Sequence, residues 1–80
     1  MTVRVVFLGK LADLAGESQR ELAGPLDWAG LLATLGPDLA EAVQGERVKL
    51  ALDGNVLADK TALDAPDGSE IALLPPVSGG

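Results

Sequence analysis

The strongest constraint on the fold lies in residues 27–35, where Trp28, Leu31, Leu32 and Leu35 recur at helical spacing behind an aspartate. Side chains at i, i+3, i+4 and i+7 share one face of a helix, so this stretch presents a single apolar stripe that needs a partner surface. Asp27 is placed to cap the first free backbone amides and to meet the positive end of the helix dipole. Gly36 and Pro37 stop the helix and admit a second short one over residues 37–44, with proline in its first turn and Gly45 beyond its end. Gly30 costs the main helix about 1 kcal/mol relative to alanine.

The rest of the chain supplies the surface as strands. Residues 3–8 are a β-branched and aromatic run with Val3, Val5 and Phe7 on one face and Arg4, Val6 and Leu8 on the other. So apolar a run suits the middle of a sheet with both faces covered. Leu11, Leu14 and Ala15 between Gly9 and Gly16 predict a turn or short helix, and residues 17–22 predict a polar edge strand paired back on the first. Residues 47–52 alternate, with Val48, Leu50 and Leu52 inward and Arg47, Lys49 and Ala51 outward. The turn Asp53-Gly54-Asn55 leads into a short return strand at residues 56–57. Residues 59–66 read as a polar connection, Asp67-Gly68 as a turn, and residues 70–74 as the last strand. Pro75 and Pro76 lack amide hydrogens and end the ladder. Strand, strand, helix, strand, short strand, strand predicts an α+β fold of the β-grasp type: a mixed sheet packed against one main helix, with an extended C-terminal tail. The expected division is a domain over residues 1–74 and a flexible tail over residues 75–80.

Composition restricts the chemistry. The 80 residues include no cysteine and no histidine, which removes thiolate nucleophiles, imidazole bases, disulfides and the usual zinc or haem ligands. A chain this short folds as one small domain, with little room for an enclosed active site. Twelve acidic residues against six basic give a net charge of −6, which argues against nucleic acid and points to a basic protein partner. No secretory leader and no apolar run of membrane-spanning length is present, so a cytoplasmic protein with no membrane partner is expected. The aspartates near Asp53, Asp59, Asp64 and Asp67 lack the alternating ligands and closing glutamate of a calcium loop and read as solvated turns. No metal site is expected.

The chain closes on Pro75-Pro76-Val77-Ser78-Gly79-Gly80. Two prolines stiffen the base and two glycines leave the tip bare of side chains. Fully extended, six residues reach roughly 20 Å, enough to enter another protein's cleft while the folded body stays outside. A terminal carboxylate is a poor acyl electrophile and needs activation, most simply as an acyl-adenylate made by a separate ATP-dependent enzyme. Attack by an amine would then give a protein conjugate, and attack by sulfur a thiocarboxylate. The chain supplies neither base nor nucleophile, so both steps belong to partners.

The segment from Ile71 to Gly80 resembles the end of the small, sulfur-carrying subunit of molybdopterin synthase, whose members typically finish in Pro-Pro-Val-x-Gly-Gly. Val5-Val6-Phe7-Leu8 with Leu11, Leu14 and Gly16 resembles the family's first strand and turn, and Asp67-Gly68-Ser69-Glu70-Ile71 resembles its usual Asp-Gly-Asp-Glu-Val. The resemblance implies a non-catalytic, ubiquitin-like subunit whose partners are an adenylating enzyme, a sulfur donor and the large synthase subunit, in a heterotetramer. It implies no permanently bound cofactor. Gly80 would carry first the AMP adduct and then the thiocarboxylate whose sulfur builds the molybdopterin dithiolene. Gly79 would give access, and Pro75, Pro76, Val77 and Ser78 would lie along the large subunit's channel. Two positions depart from the pattern: Ala12 stands where the family often has arginine, and Ser69 where it commonly has aspartate.

Phe7, Leu8, Leu73 and Leu74 lie on the first and last strands, and alternation assigns about half of them to the core. Phe7, Leu8 and Leu74 are the expected docking patch around the tail's base. Trp28, on the helix stripe, is expected in the core. The alternatives to sulfur carriage for molybdopterin are a thiamin-thiazole sulfur carrier, a ubiquitin-like protein modifier joined to lysines through Gly80, and an interaction module whose tail is inert.

Overall fold

The structure, a computed structural model, describes residues 2–76. In chain order its elements are β1 (Thr2–Phe7), α1 (Lys10–Ala15), β2 (Gln19–Ala23), β3 (Leu26–Asp27), α2 (Trp28–Leu35), α3 (Pro37–Val43), β4 (Lys49–Leu52), β5 (Asn55–Val56), a 3-10 turn (Lys60–Ala62), β6 (Asp64–Ala65) and β7 (Glu70–Leu74). Five strands form one mixed sheet in the order β2-β1-β7-β4-β5. β1 and β7 run parallel with Val5 opposite Ile71 and Phe7 opposite Leu73, and the remaining neighbours are antiparallel. This is the β-grasp arrangement that the order of elements predicts.

Register places Val3, Val5, Phe7, Leu50, Ile71 and Leu73 on one face, all buried in a single core with Leu31 and Leu35 of α2. Trp28 and Leu32 pack half-buried against that core. Asp27 caps α2 as expected, its Oδ1 accepting a hydrogen bond from the Gly30 amide at 2.7 Å. Gly30 has a reason to be there: a Cβ at that position would lie 3.0 Å from the capping oxygen and 3.2 Å from Leu26 Cδ1. The helix gives up propensity to let its cap and β3 approach.

Three expectations need correction. Among the described residues no helix covers the outer face of β1, because α1, α2 and α3 all send their buried residues into the core on the other side; Val6 is half-buried and Leu8, beyond the strand's end, is exposed. Residues 59–66 are more than a polar connection, since Leu63 and Ala65 enter the core and β6 pairs with β3, Leu26 opposite Ala65. Asp59 shapes that passage, accepting hydrogen bonds at Oδ1 from the Thr61 amide at 3.0 Å and hydroxyl at 2.5 Å. Ala51, expected on the solvated side of β4, is buried between Ala72 and Val56 of the adjoining strands.

Candidate functional site at the base of the tail

The last strand delivers the chain to one end of the sheet. The Leu8 amide donates to the Leu73 carbonyl at 3.3 Å, and past Leu74 the two prolines have no amide to extend the ladder. Gly9, with φ of +56°, turns the chain after β1 under Pro75; a Cβ there would stand 3.0 Å from Pro75 Cγ. The tail's base is therefore seated on the turn that follows β1. Pro76 continues along a cavity of about 320 Å³ with Lys10, Leu11, Leu14, Arg47 and Val48 in its lining. Val77, Ser78, Gly79 and Gly80 lie outside the described residues.

Beside this exit, the outer face of the sheet is ordered in rows. Arg4 of β1 stands between Glu21 of β2 and Glu70 of β7, with its Nη1 3.8 Å from the Glu70 carboxylate. The next row, nearer the tail, is Val6, Ala72, Ala51 and Val56, an apolar line from the second strand to the edge of the sheet. Val56 is 59% exposed. Leu74 follows, half-buried and opposite Lys49, with Leu8 39% exposed at the end of β1.

Of the expected docking residues, Leu8 and Leu74 thus reach the surface near the tail, but Phe7 does not. It is 2% exposed and points into the core, with the Arg20 guanidinium 5.4 Å from its ring centroid. The two-residue period of the strand that brings Leu8 outward turns Phe7 inward. Val6, Ala72 and Val56 were missed as surface residues. Their signal was present in the same alternation, because a strand whose inner face is filled must show its remaining apolar residues on the outer one.

The carboxylates serve structure. Asp53 Oδ1 accepts the Glu70 amide at 2.9 Å, tying the β4–β5 turn to β7. The bonds from Thr61 hold the Asp59 carboxyl below its ordinary pKa. Among the described residues, no group of three or more acids is placed to hold a metal ion, and no helix is long and apolar enough to cross a membrane. Ala12, where the resemblance places arginine, packs half-buried against the core.

The ThiS family model matches residues 5–80. No curated protein matches the chain by sequence. Among solved structures, the complex of subunits 1 and 2 of molybdopterin-converting factor from Helicobacter pylori holds a chain 28% identical, covering all of both chains with a TM-score of 0.67. A putative molybdopterin converting factor subunit 1 from Pyrococcus furiosus is 21% identical over 96% of this chain and 99% of its own, with a TM-score of 0.70. Small archaeal modifier protein 1 from Methanosarcina acetivorans is 24% identical over 99% of this chain and 96% of its own, with a TM-score of 0.75. The last two likenesses speak to the fold, and the family match extends through the tail residues. This chain belongs to the ThiS family of ubiquitin-like sulfur carriers.

Proposed function

We propose that the protein is the sulfur-carrying small subunit of molybdopterin synthase. The observation that carries this reading is the sequence Pro75-Pro76-Val77-Ser78-Gly79-Gly80 directly after a central strand whose outer face is open and partly apolar. In this reading Gly80 is the carboxyl terminus. Its carboxylate oxygen attacks the α-phosphorus of ATP within an adenylating enzyme, releasing pyrophosphate and leaving an acyl-adenylate. Hydrosulfide delivered by a sulfur donor then adds to the acyl carbon, AMP departs and the sulfur's proton is lost, so the end of the chain becomes a thiocarboxylate. The large subunit consumes that sulfur in forming the dithiolene of molybdopterin and returns the carboxylate. The adenylate is a passing intermediate, and the protein needs no resident cofactor.

This chain's part is presentation. Gly79 and Gly80 keep the carbonyl uncrowded, Pro75 and Pro76 hold the base extended, and Val77 and Ser78 complete the reach. Leu8, Leu74 and the row from Val6 to Val56 form the apolar surface on which a large subunit seats while the tail enters its channel. The Helicobacter pylori neighbour was solved as a complex of its two subunits, which supports a large-subunit partner here; two copies of each chain are the expected assembly.

The test is transfer. Thiocarboxylated protein mixed with the large subunit and the cyclic pyranopterin precursor should yield molybdopterin and the carboxylate form. Consumption of the sulfur by a thiazole-forming enzyme, with no molybdopterin made, would assign the chain to the thiamin pathway. Conjugates to lysines, with no thiocarboxylate, would make it a modifier.

A further inference from the structure

The tail's exit is electrostatically the reverse of the whole molecule. Of the six basic residues in a chain of net charge −6, Arg4 and Arg20 stand beside Glu70 and Glu17, at 3.8 and 2.8 Å. Lys60 turns its amine onto the backbone carbonyls of Gly45 and Val48, the second at 2.7 Å. The other three gather where β7 ends. Lys10 and Arg47 line the same cavity as Pro76, and Lys49 lies opposite Leu74 in register. All three are exposed, and among the described residues none takes part in an ion pair. Among the described residues Glu46 is the one acid in the cavity lining, and Asp13, one turn along α1, makes no ion pair with Lys10.

The floor between Lys10 and Arg47 is apolar. Leu11 and Val48 are buried beneath it and Leu14, 53% exposed, forms one wall. At about 320 Å³ the cavity is at the low end of the sizes that accept small ligands. It suits one apolar side chain delivered by a neighbouring chain. The loop bearing Arg47 is fixed by Lys60, which bonds to it on both sides of Arg47, so the rim is preformed.

We propose that this end of the molecule is a docking site for an acidic segment of a partner protein, with one apolar side chain of that segment filling the cavity between α1, the 45–48 loop and Pro76. Two unpaired cations, Lys10 and Arg47, at the rim of an apolar floor are complementary to carboxylates flanking a leucine-like residue, with Lys49 nearby at the end of β7. Such complementarity steers encounter and fixes register even when each rim contact adds little affinity. The expectation of a basic partner, drawn from net charge, is reversed at the surface that surrounds the tail. Phosphate-rich nucleic acid would meet the cations but leave the apolar floor unused and face ten or more carboxylates elsewhere on this chain. The site stands on the folded body alone and does not depend on the sulfur chemistry.

The full chain, labelled with nitrogen-15, is titrated at low salt with a synthetic peptide carrying one leucine flanked by glutamates. Control probes are the same peptide with glutamines, the same peptide with glycine for leucine, and a thymidine oligonucleotide. Saturable amide shifts concentrated at Lys10, Leu14, Arg47 and Val48 are expected with the acidic leucine peptide only. The double variant K10E/R47E should weaken its binding about tenfold, and Leu14→Ser should weaken it with the spectrum otherwise native. Absent shifts, shifts centred on the β2 edge or the charged row of Arg4, equal binding of the glutamine peptide, or tighter binding of the oligonucleotide would each overturn the proposal.

Discussion

The two faces of the central sheet are written on the same strands, one residue inward and the next outward, yet they do different work. The inner face is filled and sealed: Val3, Val5, Phe7, Leu50, Ile71 and Leu73 meet α2 and exclude water. Among the described residues the outer face has no helix over it, so Val6, Ala72, Ala51 and Val56 form a shallow apolar line bordered by Arg4 and Glu70 on one side and Leu74 and Lys49 on the other. Stability resides in the first face, and the second leaves half-buried and exposed apolar side chains at the surface. A single β-branched strand serves both, because its period of two lets neighbouring residues answer to different demands.

Substitutions that separate the faces test this division. The largest effect is expected from Leu50→Ala, which empties part of the inner layer and should cost about 2–5 kcal/mol in denaturant unfolding. Large-subunit binding should survive wherever this variant remains folded. Asp27→Ala removes the α2 cap and should cost about 1 kcal/mol, read in the same way. Val56→Ser, on the exposed edge strand, should change stability by no more than about 0.5 kcal/mol while weakening large-subunit binding in calorimetry. A loss of stability with unchanged binding would reassign Val56 to the scaffold.

The smallest effect is a pH dependence. The Asp59 carboxylate accepts two bonds from Thr61, and its pKa in the folded protein is lowered. The folded state therefore holds its proton less readily than the unfolded chain. The contribution is complete above the unfolded pKa and disappears as pH falls through the folded one. Asp59→Asn should flatten that part of the acid limb of an unfolding curve: the variant matches wild type at low pH and falls slightly below it near neutrality, by a small amount because the carboxylate is exposed.

These comparisons also mark how far local sequence reaches. α2 was legible because its stripe, its cap and its stop lie within eleven residues, and β1, β7 and the Asp53-Gly54 turn announce themselves in the same local way. Leu63 and Ala65 were not legible as core, because their burial depends on β6 meeting β3, a pairing of residues almost forty positions apart in the chain. Phe7 and Leu8 could be split between core and surface by period alone, but only the observed register decided which was which. Net charge carries no position: it is a sum over the chain, and Lys10 and Arg47 come together beside Pro76 from α1 and the 45–48 loop only after folding. Gly9 was readable as punctuation, whereas its second role, making room for Pro75, belongs to tertiary structure.

The central claim is that the folded body is a carrier and that the chemistry occurs at Gly80. Its most direct test is the intact mass of the protein after co-expression with an adenylating enzyme and a sulfur donor, beside a variant lacking Gly80. The wild-type chain should gain the mass of one sulfur in place of one oxygen, localised to Gly80 by fragmentation, and the shortened chain should fold normally and gain nothing. An unmodified wild-type chain in the presence of active enzymes, or sulfur found anywhere but Gly80, would contradict the account.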